Sequence, residues 1–209
     1  MNFQMNFTEL MQAADAAMNE TLSSAGFRHT APGTWNRHSG HELNVVQFQK
    51  QSAAESFCVN LGVHYSFLPK AGTEVPLLDG EQIELPDCEV KLRLTEQPAQ
   101  KDQWWPISDE SITQVANLLL NRGLSAFDAY RVDGELSAMD AKSIESGNPG
   151  LLAPITKVRA CLLLARLHVP LGNRDKCIEA AMIGLKLAGM AVGPKRAIKD
   201  ILKRCGQSA

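Results

Sequence analysis

Apolar and polar positions follow a helical spacing in the first part of the chain. Phe7, Leu10, Met11, Ala14, Met18 and Leu22 recur as one side of a helix would. Asn6 and Glu9 have the spacing of a capping box, and Gly26 followed by Phe27 is typical of a left-handed helix end. The pattern therefore predicts a first helix between Asn6 and Gly26.

The pattern then changes to an alternation of β-branched or aromatic residues with polar ones. This period of two predicts four strands, at about residues 34–38, 43–50, 56–67 and 89–95. Ser108, followed by two acidic residues, predicts the start of another helix, which we expect to end at Gly123. A helix, several strands and a further helix predict an α+β fold, in which an antiparallel sheet of about four strands packs on helices.

The last part of the chain has only helical patterns. We expect three helices, at about 154–169, 174–189 and 194–205. Residues 133–153 are polar and weakly patterned, which predicts a linker between an α+β domain (1–132) and a helical subdomain (154–209). Residues 171–187 resemble the turn and second helix of a tetratricopeptide repeat. Such repeats need about three units to stack, so we expect one helical hairpin packed on the main domain.

The overall composition adds little to this prediction, but the net charge differs between the two parts of the chain. The 209 residues carry 21 Lys and Arg against 23 Asp and Glu, a net charge of −2. Residues 1–153 hold ten basic and twenty acidic side chains, whereas residues 154–209 hold eleven and three. The first part is thus acidic (−10) and the tail basic (+8).

The cysteines and the N-terminal residues indicate the cellular compartment of the protein. The five cysteines are odd in number, widely spaced and without a C-x-x-C pair, which argues against a disulfide framework and a zinc knuckle. The chain starts without the basic and apolar regions of a secretory signal, and no apolar run approaches the roughly 20 residues of a spanning helix. A cytoplasmic, membrane-free protein is expected.

The polar residues of the second and third predicted strands form the first candidate surface. Antiparallel pairing of 43–50 with 56–64 would place Gln47 and Gln49 on the same face as Cys58 and Asn60, with His64 further along. Amides offer both a donor and an acceptor to a ligand, but they are poor proton carriers. The alternatives are a solvated sheet face, or buried amides that bind a nearby loop. Cys58 is expected to be a buried small residue and not a nucleophile.

Three further groups of residues are weaker candidates. Trp104 and Trp105 are adjacent indoles before a helix, and they either bind a partner or pack on the core. His38 and His41 lie close in sequence, but no further ligand completes a known metal-binding pattern, so neither metal nor cofactor is expected. The last helix carries a basic row, which either docks nucleic acid or faces the acidic domain: Lys195, Arg196, Lys199, Lys203 and Arg204.

Four short segments resemble one bacterial family. They are residues 26–28 (GFR), Thr34-Trp35 with Arg37, residues 45–52 (VVQFQKQS) and residues 57–63 (FCVNLGV). In their order and spacing they are similar to the family described as domain of unknown function 4304, over about residues 6–130. The resemblance implies an α+β domain of bacterial origin and no assigned activity.

Three functional hypotheses remain open. No P-loop, dinucleotide-binding, hydrolase-elbow or metalloprotease pattern occurs in the chain. The leading hypothesis is therefore a non-catalytic binding protein, of the immunity type, whose acidic domain binds and neutralises a basic protein partner. The second is a small-ligand binder or enzyme that uses the polar face around Gln47, Gln49, Asn60 and His64. The third is nucleic-acid binding by the basic tail.

Overall fold

The computed structural model describes residues 6–51, 55–70, 73, 77–78, 80–97 and 100–205. These residues form two compact units, one up to Asp128 and one from Ala129. Residues 1–5 of the predicted α+β domain and residues 206–209 of the predicted helical subdomain lie outside the described residues.

The first unit is an α+β fold, as predicted. Its helices are α1 (Phe7–Ser24), α2 (Asp109–Leu118) and α3 (Leu124–Asp128), and its strands are β1 (Arg28–Ala31), β2 (Thr34–Ser39), β3 (Glu42–Lys50), β4 (Ser56–Tyr65), β5 (Val90–Arg93) and β6 (Trp105–Pro106). All pairings are antiparallel, in the order β1-β2-β3-β4-β5, and β6 also pairs with β4. The described sheet has six strands instead of about four, because β1 and β6 are too short to show a clear alternation.

The ends of α1 follow the sequence signals. The Asn6 side chain accepts hydrogen bonds from the backbone of Thr8 and Glu9, and the Glu9 carboxylate accepts from the Asn6 N–H at 2.7 Å. Gly26 has a φ of 83°, and the N–H of Phe27 donates to the Leu22 carbonyl at 2.9 Å. The predicted capping box and left-handed stop are both confirmed, because both depend only on neighbours in sequence.

The predicted stop of α2 at Gly123 is wrong. The chain continues through a π-helical turn at Leu119–Gly123 directly into α3. A Cβ at residue 123 would lie 2.5 Å from Cδ1 of Leu119 and 3.2 Å from Cδ1 of Leu94. Gly123 therefore serves close packing against Leu94 within the helical segment, and its φ is not positive.

One face of the sheet forms the main core of the first unit. The side chains of Trp35, Phe48 and Phe57 on this face are buried, with ring centroids 5.8 Å and 5.5 Å apart along the row. Trp105 of β6 extends the row to Phe57 at 6.0 Å. Helix α1 packs against β1 and α2. The predicted alternation of β4 is thus correct on this side, where Phe57, Val59, Leu61, Val63 and Tyr65 are all buried.

The opposite face is partly covered by the segment that precedes β5. Ile83 and Cys88 of this segment pack on Leu43 and Val45 of β3, and all four are buried. The N–H of Ile83 donates to the side chain of Asn36 at 2.9 Å. The central strand β4 is therefore buried on both sides.

The second unit is helical. Its helices are α4 (Glu135–Ala138), α5 (Ala141–Ser146), α6 (Lys157–His168), α7 (Arg174–Leu187) and α8 (Val192–Arg204). The three long helices match the prediction, but the segment 133–153 differs from the expected linker. Helix α5 has an Asp140 cap and a left-handed Gly147 end, and it buries Ile144 while packing on α6 and α7. Its few buried apolar residues are hard to recognise in the sequence, because most residues of this segment are polar.

Candidate functional site

The register of β3 and β4 determines which polar side chains lie together. Gln47 pairs with Asn60 and Gln49 pairs with Cys58 in this register, so the four residues share one face of the sheet. On the other side of β4, Asn60 pairs with Arg93 of β5. Since directly opposite residues of paired strands share a face, these side chains form one polar surface of the first unit. We call Gln47, Gln49, Cys58, Asn60, Arg93, Asp102 and Trp104 the polar patch.

The amides of the polar patch are already engaged with each other. The side-chain N–H of Asn60 donates to Oε1 of Gln49 at 2.9 Å. Asn60 is 7% exposed, whereas Gln49 is exposed and Gln47 is half-buried. An incoming ligand would therefore meet the two glutamines first, with Asn60 behind them.

Arg93 organises the other half of the patch. Its Nε lies 2.8 Å from Oδ1 of Asp102, and its guanidinium lies 5.1 Å from the ring centroid of Trp104. The indole N–H of Trp104 donates to Oδ2 of the same Asp102 at 2.9 Å. Arg93 also donates to the sulfur of Cys58. One carboxylate thus holds both the arginine and the indole in place.

Arg93 and Asp102 of the polar patch were not predicted as candidate site residues. Arg93 was seen only as a polar residue of the fourth predicted strand, and Asp102 lies in a loop without a pattern. A signal was available for Arg93, because pairing of its strand with β4 would have placed it beside Asn60. No sequence signal marks the loop contact of Asp102.

Cys58 is not set up as a nucleophile. Burial raises the pKa of its thiol to about 11, and this outweighs the opposing charge of Arg93. The thiol donates to the backbone carbonyl of Gln49, with 3.7 Å between sulfur and oxygen. A thiol with such a pKa holds very little thiolate near neutral pH. The polar patch therefore offers hydrogen-bonding amides and an arginine, without a reactive thiol at Cys58.

We expect Cys58 to resist alkylation in the folded protein. With iodoacetamide at pH 7.5 under reducing conditions, peptide mapping should find Cys58 unmodified after the partly exposed Cys205 has fully reacted. Both should react in concentrated urea, which serves as the control. Faster labelling of Cys58 than of Cys205 would contradict this assignment.

His64 does not belong to the polar patch, contrary to the proposed lining of a single pocket. It pairs with Leu43, six residues along β4 from Cys58, and is fully buried. At about 3.3 Å per residue, the two positions are about 20 Å apart. The alternation placed His64 on the correct face but could not show that a different segment covers that end.

The two adjacent tryptophans have different environments. Trp105 is 3% exposed and packs on Phe57 in the core, whereas Trp104 is half-buried and contacts Arg93 and Asp102. Trp104 is therefore partly exposed at the surface, and Trp105 is part of the core packing.

The basic residues of α8 lie on its solvent side. Arg196, Lys199, Lys203 and Arg204 are exposed and Lys195 is half-buried, while Ala197, Ile198, Ile201 and Leu202 are buried. The helix is thus amphipathic within the second unit, with its basic row accessible.

A small cavity in the second unit was not predicted. It has a volume of about 160 Å³ and is lined by α4, α5, α6 and α7, with His168, Lys176 and Glu179 as polar lining residues. His168 is 2% exposed, and its Nδ1 has no hydrogen-bond partner among the described residues. Burial, and then the charge of Lys176, lower the pKa of His168.

We expect His168 to make the second unit less stable in acid. Its folded pKa lies below the unfolded value of about 6.5, so the unfolded chain binds more protons there. Stability should fall as the pH drops below about 6.5. Urea unfolding followed by far-UV circular dichroism at pH 7.5 and 5.5 should show a smaller loss for His168→Leu than for the unsubstituted chain. The exposed His38→Ala is the matched control and should keep the full loss.

The described residues contain neither a membrane-spanning helix nor a cluster of metal ligands. None of the described helices has the length and apolarity needed to cross a membrane. Among the same residues, no three His, Cys, Asp or Glu side chains are grouped as metal ligands would be.

Comparison with known proteins identifies a family but no activity. Neither the curated proteins nor the solved structures contain a match to this chain. The family model described as Domain of unknown function (DUF4304) matches residues 18–127, which is 110 of the 209 residues. This range runs from α1 to α3 and includes the whole described sheet with Cys58, Asn60 and Arg93. The chain belongs to the DUF4304 family.

Proposed function

We propose that the protein is a non-catalytic binding protein whose acidic first unit binds a basic protein partner, in the manner of an immunity protein. The observation that carries this proposal is charge. Residues up to Asp128 hold eight Lys and Arg against sixteen Asp and Glu, a net charge of −8 for the first unit. Such a field speeds association with an oppositely charged protein and disfavours acidic competitors.

The segment before β5 supplies the best-defined acidic surface. Glu84 is exposed and Asp87 half-buried, and both carboxylates act on Lys70 through their charge. Glu81, in contrast, is held by Lys70 at 2.5 Å. The segment is fixed from below by Ile83 and Cys88 in the core. Its carboxylates are therefore presented on a packed segment, which reduces the ordering cost of binding.

The proposal is tested by affinity capture of a partner protein from a cell lysate, with the full chain as bait. A stoichiometric basic protein should be retained at about 50 mM salt and released at several times that concentration. After its purification, calorimetry with the Glu84→Lys/Asp87→Lys variant should show affinity at least about tenfold weaker. The control variant Glu20→Lys/Asp128→Lys has the same net charge change at two exposed helical positions and should lose far less.

Two outcomes would reject the proposal. The first is the absence of any stoichiometric protein at low salt. The second is a captured protein whose affinity changes in neither charge-reversed variant, since acidic side chains would then play no part in binding. Equal losses in both variants would reject only the surface around Glu84 and Asp87.

The polar patch favours a second candidate function, the binding of a small polar ligand. Its accessible amides, Gln47 and Gln49, lie beside an arginine and a half-exposed indole. In a thermal-shift screen against metabolites, any hit should disappear in Asn60→Ala and Arg93→Ala. A hit that persists in both variants, or the absence of hits, would count against this candidate.

The basic row of α8 supports a third candidate, nucleic-acid binding. Four exposed cations along one helix would give binding that weakens steeply with salt. Filter binding of a mixed-sequence RNA or DNA at about 50 mM salt tests it. Retention should be lost in Lys199→Glu/Lys203→Glu, and no retention of the unsubstituted chain would reject it.

A further inference from the structure

Two cysteines of the second unit lie in contact with each other. The sulfur atoms of Cys177 and Cys205 are 3.7 Å apart. Cys177 lies in the first turns of α7 and is 1% exposed, whereas Cys205 caps the end of α8 and is half-buried. Both are free thiols in this structure.

The packing of α7 against α8 holds this pair in place. A Cβ at Gly184 of α7 would lie 3.0 Å from Cδ1 of Ile198 of α8, so the two helices approach closely because residue 184 has no side chain. At the other end, Arg174 of α7 donates to the backbone carbonyl of Cys205 at 2.5 Å. The position of Cys205 is therefore fixed in two ways, by the packing of α8 on α7 and by the hydrogen bond to its own backbone carbonyl.

We propose that Cys177 and Cys205 are a dithiol–disulfide pair, oxidised by peroxide and reduced by thiols, that tethers the end of α8 to the start of α7. A disulfide needs the sulfur atoms about 2.05 Å apart. The remaining approach is less than 2 Å. Rotation of the Cys205 side chain can supply most of it, because this residue caps the helix end and is only half-buried. The proposal concerns the second unit alone and is independent of the partner proposed above.

The reaction balances with peroxide as the two-electron oxidant. The accessible Cys205 sulfur, as thiolate, attacks one peroxide oxygen, so that an S–O bond forms, the O–O bond breaks and the released hydroxide takes a proton to become water. The Cys177 sulfur then attacks the sulfenic sulfur of Cys205. An S–S bond forms, the S–O bond breaks, and the departing hydroxide leaves as water with the thiol proton. Two thiols are oxidised and one peroxide is reduced to two waters.

The other cysteines provide an internal comparison. Cys58, Cys88 and Cys161 are buried, and burial raises the pKa of each thiol well above its usual value. None of them combines partial exposure with a neighbouring sulfur. Burial also raises the pKa of the Cys177 thiol, to about 12, so peroxide should modify the partly exposed Cys205 first, and Cys177 should react only with the sulfenic sulfur beside it.

Mass spectrometry of the full chain tests the proposal. After brief treatment with hydrogen peroxide, the intact mass should fall by about 2 Da, the loss of two hydrogens on forming one disulfide. Trypsin should then release residues 177–186 linked to residues 205–209, because Lys176, Lys186 and Arg204 flank these peptides. The link should disappear on treatment with dithiothreitol.

A stability measurement distinguishes a tether from a bystander modification. Closing the loop between the two cysteines should raise the Tm of the second unit by roughly 5–10 °C, and dithiothreitol should reverse the rise. Cys205→Ser, at a half-buried helix end, should fold and show neither the linked peptide nor the rise. Cys161→Ser is the control that should retain both.

Three results would overturn the proposal. They are a Cys205 oxidised to sulfinic acid without a linked peptide, a linkage of Cys205 to a different cysteine or to a second chain, and a linked peptide that leaves the Tm unchanged. The last result would show that the bond does not act as a stabilising tether between α7 and α8.

Discussion

Arg37→Ala is expected to destabilise the first unit by about 3 kcal/mol. The guanidinium lies 4.7 Å from the ring centroid of Phe27 and 5.5 Å from that of Phe127. It also donates to the side-chain oxygen of Asn44 at 2.9 Å and 3.1 Å and to the backbone carbonyl of Ala25 at 3.3 Å. Truncation would remove these contacts together and leave buried Asn44 without this donor.

Urea unfolding followed by tryptophan fluorescence measures this effect in one unit. All three tryptophans lie before Asp128, so the signal reports on the first unit only. Arg37→Lys keeps the charge but not the two-pronged contact with Asn44, so we expect an intermediate loss. Arg28→Ala, at an exposed position of the edge strand, should change stability by less than about 0.5 kcal/mol. Equal losses in Arg37→Ala and Arg28→Ala would contradict the packing described for Arg37.

Gly62→Val is expected to destabilise the first unit by about 3 kcal/mol and to open the cover of the second sheet face. A Cβ at residue 62 would lie 2.5 Å from the sulfur and 3.2 Å from Cβ of Cys88, and 3.0 Å from Cδ1 of Leu85. The backbone of β4 is held by pairing on both sides, to Val45 and Lys91. The segment carrying Leu85 and Cys88 must therefore move.

Cys88 itself reports this movement. Burial raises the pKa of its thiol to about 12 in the native protein, so we expect it to be unreactive toward iodoacetamide. In Gly62→Val it should become labelled under native conditions. Cys88→Ala in the Gly62→Val background should recover part of the lost stability, because it removes the nearest atom. Gly193→Ala, where nothing lies within 4 Å of the added carbon, is the matched control and should not destabilise.

Both positions connect the fold to the proposed function. Arg37 ties the end of α1 to the sheet, and Gly62 lets the acidic segment with Glu84 and Asp87 lie close on β4. If the proposed acidic surface binds the partner, Gly62→Val should weaken binding through displacement of that segment. Arg37→Ala should reduce the folded fraction without changing affinity per folded molecule.

The family resemblance has a structural explanation in the same region. Phe27, Trp35 and Arg37 carried part of that resemblance, and they lie in or against the core of the first unit. Gln49 and Asn60 carried another part, and they lie on the polar patch. The residues that identify the family thus include both core packing and an accessible surface.

The sequence by itself determined the parts of this protein that depend on neighbours along the chain. The capping box of Asn6, the turn at Gly26 and the alternation of β4 follow from local spacing and period. Short elements such as β1, β6 and α5 escaped detection, because too few residues carry their pattern. Gly123 was misread, since a packing glycine and a terminating glycine look alike in sequence.

Only the tertiary structure decided which side chains meet across long separations. In the folded chain His64 lies away from the polar patch, and Asp102 forms an ion pair with Arg93. Trp105 is buried while Trp104 is partly exposed, and the sulfur of Cys177 contacts that of Cys205. Periodicity states which face a side chain occupies, but it does not state what covers that face. The cover is set by strand order, by loop packing and by close approach at glycines, which are properties of the folded chain as a whole.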